Sequence, residues 1–340
     1  MDLTNQIENS DLSLSSLQSH ICELIQTVDD PELLKKVAST LEEKAVESKI
    51  AEILSKDADA SKFVKSITDI VVQTPGSLEE KMQFLQSCYH GIVDITRLLS
   101  GEQHTFDDVV GSGFNNRILT NLSTGLAMQG VGPGELALTI LSPHIRWSGR
   151  NSSSSDLNVS GKNVELKTSV SDSGGRWINT RKAKMDIQAI NRAIINAIEK
   201  SDSSFVKHEF SLPERVGISN WVNNIRSRIK SEYLTEVTTE IANGLFRFVD
   251  TNAYQVALAS GSEAEIRREH MNTGFLNYKA YAGFDGILIM DIPRNVFQYF
   301  EEYAQAEPYI CVNTPYISCP ETEVMPKVRL LVKKPDTQNT

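Results

Sequence analysis

Between Ser152 and Asp172 the chain reads SSSSDLNVSGKNVELKTSVSD. Asp156 follows a serine tract, Glu165 stands in a short apolar run, and Lys167 lies two residues beyond it. Carboxylates supply the hard oxygen ligands that Mg²⁺ or Mn²⁺ takes, and one or two suffice when waters and a substrate phosphate complete the shell. An ion held in this way withdraws charge from a phosphate, acidifies a bound water and stabilises a leaving oxygen. An ammonium beside it orients or deprotonates the attacking water, or neutralises charge developing on the phosphate oxygens. Upstream, Glu135 opens the apolar segment ELALTIL and offers a further ligand or a hydrogen bond to a metal-bound water. Singly, each residue is ordinary: an Asp after serines usually caps a turn, and Glu and Lys at i,i+2 on a strand usually face solvent. Their convergence in one segment points to hydrolytic chemistry.

The elements that must position them follow from periodicity. DLNVSGKNVELKTSV reads as a hairpin, with Asp156–Val159 as one strand, Ser160–Asn163 as a tight turn and Val164–Val170 as the second strand. The period of two puts Glu165 and Lys167 on one face and Val164, Leu166 and Thr168 on the other. After the turn VGPGE, residues 135–142 read as a helix beginning at Glu135, and WSGRNSSSS as a polar connection. TRKAKMDIQAINRAIINAIEK is a strongly amphipathic helix whose inner face carries Ile187, Ile190, Ile194, Ala197 and Ile198. A further helix is expected through SNWVNNIRSRIKSEYLTEVTTEIANGLFRFV, part of a helical insertion over about 205–250. EIRREHMNTGFLNYKAYAGFD mixes bases with aromatics, which suits either nucleic-acid contact through charge and stacking or a loop covering the core. The nearly all-apolar YAGFDGILIMDI predicts a central strand, with Asp285 and Asp291 as edge and turn acids, and the tail predicts short strands in YICVNT, PYISC and PKVRLLVK. Residues 12–100 read as helices, with Asp30 before Pro31 and Ser77 before Glu80 as caps. The fold class is therefore α/β, a small mixed sheet flanked by helices, preceded by an N-terminal helical arm or bundle over 1–110.

Charge divides the chain in the same place. The net charge of −10 comes from 34 basic and 44 acidic residues. Residues 1–110 hold 20 acids and 9 bases, leaving 24 acids and 25 bases for 111–340. The acidic helical region suits self-association, a protein partner or a solvated scaffold. Within 162–192 the bases Lys162, Lys167, Arg176, Arg181, Lys182, Lys184 and Arg192 outnumber the acids Glu165, Asp172 and Asp186, a local stripe suited to a phosphate backbone. Other chemistries find no support. Four cysteines form no C-x-x-C pair, six histidines no H-x-x-x-H, and GVGPGE lacks the Gly-Lys-Ser/Thr of a P-loop. No apolar stretch reaches transmembrane length, and the acidic N-terminus lacks the features of a signal peptide, so the expected location is cytoplasmic with no membrane partner.

GPGELALTIL, SSDLNVSGKNVELKTS, GGRW and the following Lys- and Arg-bearing helix together resemble the PD-(D/E)xK, or restriction-endonuclease-like, nuclease superfamily, in the style of phage and bacterial members. The resemblance covers about residues 130–200. It implies a core of helix, hairpin bearing Asp and then Glu-x-Lys, helix and further strand. It implies Asp156 and Glu165 as metal ligands, Lys167 as the catalytic lysine, and Glu135 as the acidic position on the first core helix. Gln188 matches a helix glutamine of some members, with Lys184 and Arg192 on neighbouring turns. Ser155 stands where a proline precedes the aspartate in the motif. The function implied is a Mg²⁺- or Mn²⁺-dependent nuclease acting on DNA, endonuclease ahead of exonuclease, with 111–340 as the nuclease domain. The alternatives are a catalytically inactive DNA-binding or assembly protein of the same fold, and a helical interaction protein in which ELK is coincidence and no divalent metal binds.

Overall fold

The computed structural model describes residues 30–56, 58–127, 132, 134–148, 155–171, 175–176, 185–202, 204, 212–312, 315–318 and 329–332. The chain divides into two compact units, Met1–Val93 with Val110–Gly149, and Asp94–Val109 with Arg150–Thr340.

The first unit is helical. Its elements are α1 (Pro31–Leu54), α2 (Val64–Gln73), α3 (Leu78–His90), α4 (Phe114–Ala127) and α5 (Glu135–Leu141), with a short strand at Ile145–Trp147. Asp30 caps α1 by accepting from the N–H groups of Glu32 and Leu33. Ser77 and Glu80 form a reciprocal capping box on α3, so both predicted starts are met by the side chains that signalled them. Ile50, Ile67, Val71, Leu85, Ile118 and Leu138 build the core. Lys81 is drawn into it, donating to Glu42 Oε1 at 2.6 Å and to the Val72 carbonyl at 2.8 Å. The helix expected between residues 12 and 28 lies outside the described residues.

The second unit holds five strands of one sheet, β1 (Gln103–Thr105), β2 (Leu157–Val159), β3 (Lys162–Ser169), β4 (Gly286–Asp291) and β5 (Val296–Phe300), in the order β1-β5-β4-β3-β2. Only β3 and β4 run parallel; the other neighbours are antiparallel. The sheet is mixed, and β4 is central and buried at every position, as its apolar run predicts. The hairpin turn is tighter than the four residues expected. Ser160 and Gly161 alone form it, with φ of 50° and 93°, and Lys162 and Asn163 already belong to β3. Two consecutive positive φ values match the right-handed twist of the flanking strands, which a longer turn would not need.

Parallel strands need a crossover, and here it runs from residue 170 to 285. It carries α6 (Ile187–Ser201), α7 (Ser231–Leu245), α8 (Asn252–Ser260) and α9 (Glu263–Ala282). The predicted inner face of α6 is buried as expected and packs with Trp221, Ile241, Leu245, Tyr254 and Ile266 in a core of its own. Of the insertion expected over about 205–250, the described residues 212–250 hold α7 and the turns before it. The long helix expected from Ser219 is broken: Trp221–Ile225 is a π turn, Arg226–Arg228 a 3₁₀ turn, and Ile229 is extended. Tertiary bonds override propensity there, since the Trp221 indole donates to the Leu258 carbonyl and the Arg226 guanidinium to that of Ala259. The segment read as either a nucleic-acid contact or a loop covering the core is a helix rather than a loop: α9, 20 residues long and capped by Ser262. Met271, Phe275, Tyr278 and Ala282 recur at helical spacing and pack on Ile287, Ile289 and Phe300 of the sheet. The tail strands Ile310–Val312, Tyr316–Ser318 and Arg329–Val332 pair with Gly175–Arg176 and Val216–Gly217 in two smaller sheets. Among the described residues no helix is long and apolar enough to cross a membrane.

His270 on α9 is 2% exposed, with Nδ1 3.0 Å from the Tyr254 hydroxyl. Burial pushes its pKa down to about 3. The unfolded imidazole protonates near 6.5, so the stabilising contribution is complete above that pH and is lost as pH falls towards the folded value, at up to about 1.4 kcal/mol per unit. Replacing His270 with Gln is expected to flatten the acid limb, making the loss of stability between neutral pH and mildly acidic pH smaller by about 2 kcal/mol. Urea denaturation of both proteins at the two pH values measures it, and parallel acid limbs would reject it.

Candidate active site

The hairpin register pairs Leu157 with Val164 and Asn158 with Asn163; Asp156 stands just before β2, outside the paired residues, and its charge acts on Lys167. The parallel register then sets Glu165 beside Ile287 and Lys167 beside Ile289. Both polar residues lie on the sheet face that α9 covers, and Val164 and Leu166 take the other face. Asp156 is anchored across the hairpin, its Oδ2 accepting from the Leu166 N–H at 2.9 Å. Ser155, in the position of the motif's proline, is fully buried and donates to the Leu157 carbonyl at 3.2 Å.

Glu165 is 4% exposed. Its Oε1 accepts from the Lys167 ammonium at 2.5 Å and from the Tyr278 hydroxyl. The ammonium lies 3.3 Å from that hydroxyl and 5.3 Å from the centre of the Tyr278 ring. A carboxylate, an ammonium and a phenol thus close a small ring of contacts beneath α9. Burial by itself pulls a lysine down, but the Tyr278 oxygen, Glu165 and Asp156 outweigh it, and Lys167 is held above the ordinary lysine range. The Tyr278 phenol is pushed up by burial, against the opposing pull of Lys167. At neutral pH the site therefore contains a fixed cation and a neutral phenol donor.

Ser169, two residues beyond Lys167 on the same face, is 1% exposed, and its hydroxyl has no hydrogen-bond partner among the described residues. An unsatisfied buried hydroxyl costs about 1–3 kcal/mol, a cost that a polar ligand at this end of the sheet would relieve. Among the described residues no three His, Cys, Asp or Glu side chains converge into a metal cage. The donor set on offer is Asp156 and Glu165, which fits an ion that keeps waters and takes substrate oxygens.

The other predicted site residues are placed as follows. Glu135 begins α5 in the first unit, behind Gly134 at φ 90°. Its Oε2 accepts from the Trp147 indole at 2.7 Å, and its carboxylate packs where a side chain on Gly132 would stand. Gln188 and Arg192 are exposed on α6, and Arg192 borders a groove between α6 and α7 with Lys200, Glu236 and Glu240. The backbone of Arg176 pairs with Arg329 in a small sheet. Arg181, Lys182 and Lys184 lie outside the described residues. Tyr278 is the member that sequence reasoning missed as a site residue. Its spacing from Met271 and Phe275 was the available signal, since it marks Tyr278 as the inner face of a helix. Its contact with Glu165, 113 positions away in the chain, has no local signature.

The fold and site define a mixed α/β protein whose sheet carries a buried carboxylate–ammonium–phenol cluster. No family model, curated protein or solved structure matches this chain.

Removing one partner of a buried pair typically costs about 3–5 kcal/mol, whereas removing both is far milder. Lys167→Met is therefore expected to destabilise the protein more than the Glu165→Gln, Lys167→Met double variant, and urea unfolding of the full cycle gives the coupling. The sign with pH is set by the raised lysine: its contribution is complete below the unfolded lysine value near 10.4 and is lost as pH rises through the higher folded value. The coupling should be constant from neutral pH to about pH 10. Additive single-variant losses would show that the contacts carry no energy.

Proposed function

We propose that the protein is a Mg²⁺-dependent nuclease hydrolysing DNA phosphodiester bonds. The observation that carries this reading is the ion pair of Lys167 with the buried Glu165, with the Asp156 carboxylate held by the N–H of Leu166 between them in sequence; carboxylate oxygens are ligands of the kind Mg²⁺ or Mn²⁺ takes. The sequence of elements, helix α5, hairpin β2–β3, crossover helices and strand β4, agrees with the order that the PD-(D/E)xK resemblance implies. DNA as substrate class rests on that resemblance and on the bases between 162 and 192.

Asp156 and Glu165 would hold the ion, which when bound supplies charge withdrawal from the phosphate and an acidified water. The Leu166 N–H holds the Asp156 carboxylate through Oδ2. Tyr278 and Lys167 both occupy Oε1 of Glu165. With Oε1 met by both donors, Glu165 would offer an ion its other oxygen, and Lys167 would keep its charge beside the phosphate. Ile287 and Ile289 form an apolar floor next to the pair, excluding water and strengthening each electrostatic contact.

A second reading is a DNA-binding or assembly protein that keeps the fold without the chemistry. It is favoured by one observation: Glu165 is 4% exposed with two donors already on one oxygen.

The deciding experiment incubates the full chain with supercoiled plasmid and with single-stranded DNA in Mg²⁺, Mn²⁺ or EDTA. Cutting that EDTA abolishes is expected, slowed about 10²–10³-fold by Lys167→Ala and lost in Asp156→Asn. DNA binding without cutting on either substrate would move the assignment to the second reading. Neither binding nor cutting would remove nucleic acid from both.

A further inference from the structure

A cavity of about 140 Å³ opens in the first unit, where the C-terminal turns of α1 and α3 meet the stretch from α5 into Ile145–Trp147. Its floor is apolar, formed by Leu54, Cys88 and Ile145, each 2% exposed or less. Burial pushes the Cys88 thiol up, so this sulfur contributes apolar surface rather than a nucleophile. The mouth is of opposite character. Tyr89 stands there 41% exposed, and Lys56 and Arg146, both exposed, line the same cavity.

The charges at this mouth are unusual for an acidic unit. Lys49 and Lys56 bring their ammonium groups to 5.1 and 5.7 Å from the Tyr89 ring centre. Lys49 is already paired with Glu52 at 2.7 Å. Among the described residues no carboxylate pairs with Lys56 or Arg146. Two cations alone would suit any anion, and an apolar slot alone any small hydrophobe. Together with a tyrosine wall they select a ligand that is flat and apolar at one end and anionic at the other. That is the chemistry of a nucleotide, whose base stacks on aromatic and apolar surface while its phosphate meets basic side chains.

We propose that this cavity binds one nucleotide unit of single-stranded nucleic acid, with the base against Tyr89 and the apolar floor and the phosphate between Lys56 and Arg146. The choice of a nucleic-acid strand rests on the proposed nuclease function; the cavity itself is built from the first unit alone.

The test uses the full chain in EDTA, where no metal-dependent cutting interferes. Binding of a fluorescent single-stranded DNA oligonucleotide is followed by anisotropy, and binding of free dAMP by calorimetry. Tyr89→Ala is expected to weaken oligonucleotide binding about 5- to 100-fold, the usual range for losing one stacked base, and Tyr89→Phe to preserve it. The Lys56→Gln, Arg146→Gln double variant should lower the salt slope of binding by about 0.7 for each phosphate no longer neutralised. Binding of both ligands, or of either alone, with these sensitivities supports the site and tells strand from free nucleotide. Oligonucleotide affinity and salt slope unchanged in every variant, with no dAMP binding, would overturn it. Plasmid cutting in Mg²⁺ is scored separately. Cutting by a wild type whose binding ignores Tyr89 rejects this site and keeps the nuclease; Tyr89-dependent binding without cutting does the reverse.

Discussion

A carboxylate buried on a sheet face has to be met by charge and by donors, and the second unit is organised around meeting one. Glu165 is almost entirely shielded from water, and the groups that replace that water come from two places in the chain: Lys167 from its own strand and Tyr278 from α9. Desolvating such a pair costs several kcal/mol per ion, and well-packed apolar residues often serve stability as well or better. The pair shares its sheet face with Ser169 and Asp291 as well as with Ile287 and Ile289. Asp156, held by the Leu166 N–H, adds a second carboxylate whose charge acts on Lys167.

The same constraint explains why α9 is the pivotal helix of the unit. Its Ile266 belongs to the core shared by α6, α7 and α8, while Met271, Phe275 and Tyr278 belong to the core on the sheet. His270 sits between the two sets, enclosed by Phe246 and Tyr254. One rigid element thus ties the inserted helices to the face that carries Glu165. A change in how the insertion packs would be passed to the Tyr278 hydroxyl through a single helix rather than through a loop.

How much of this was legible in the sequence depended on how local each signal was. The caps at Asp30 and Ser77, the start of α5 at Glu135, the buried face of α6 and the central strand β4 all rest on residues within a turn or two of one another, and each is found where the pattern put it. The hairpin was legible too, though Ser160 at positive φ shortened its turn beyond what side-chain type alone indicated. What was not legible came from distant partners. Trp221 and Arg226 break a helical stretch by bonding carbonyls of α8, and β1 is a strand because β5 lies beside it. Helix α9 hid behind its mixture of bases and aromatics. The cluster shows the same division: Asp156, Glu165 and Lys167 were found by spacing, and Tyr278 needed the fold.

The parallel pairing of β3 with β4 across so long a crossover also sets the order in which the protein can be made. Chains emerge from synthesis N-terminus first, at about 5–20 residues per second. The hairpin with Glu165 and Lys167 is complete while Tyr278, 113 positions later, is roughly 6 to 23 seconds from existing. During that interval the edge of β3 that takes β4 is unpaired. The inserted helices, with a core of their own, have time to consolidate first. The ion pair is taken out of water only when α9 and β4 arrive, which makes its burial a late and non-local event in the life of the nascent chain.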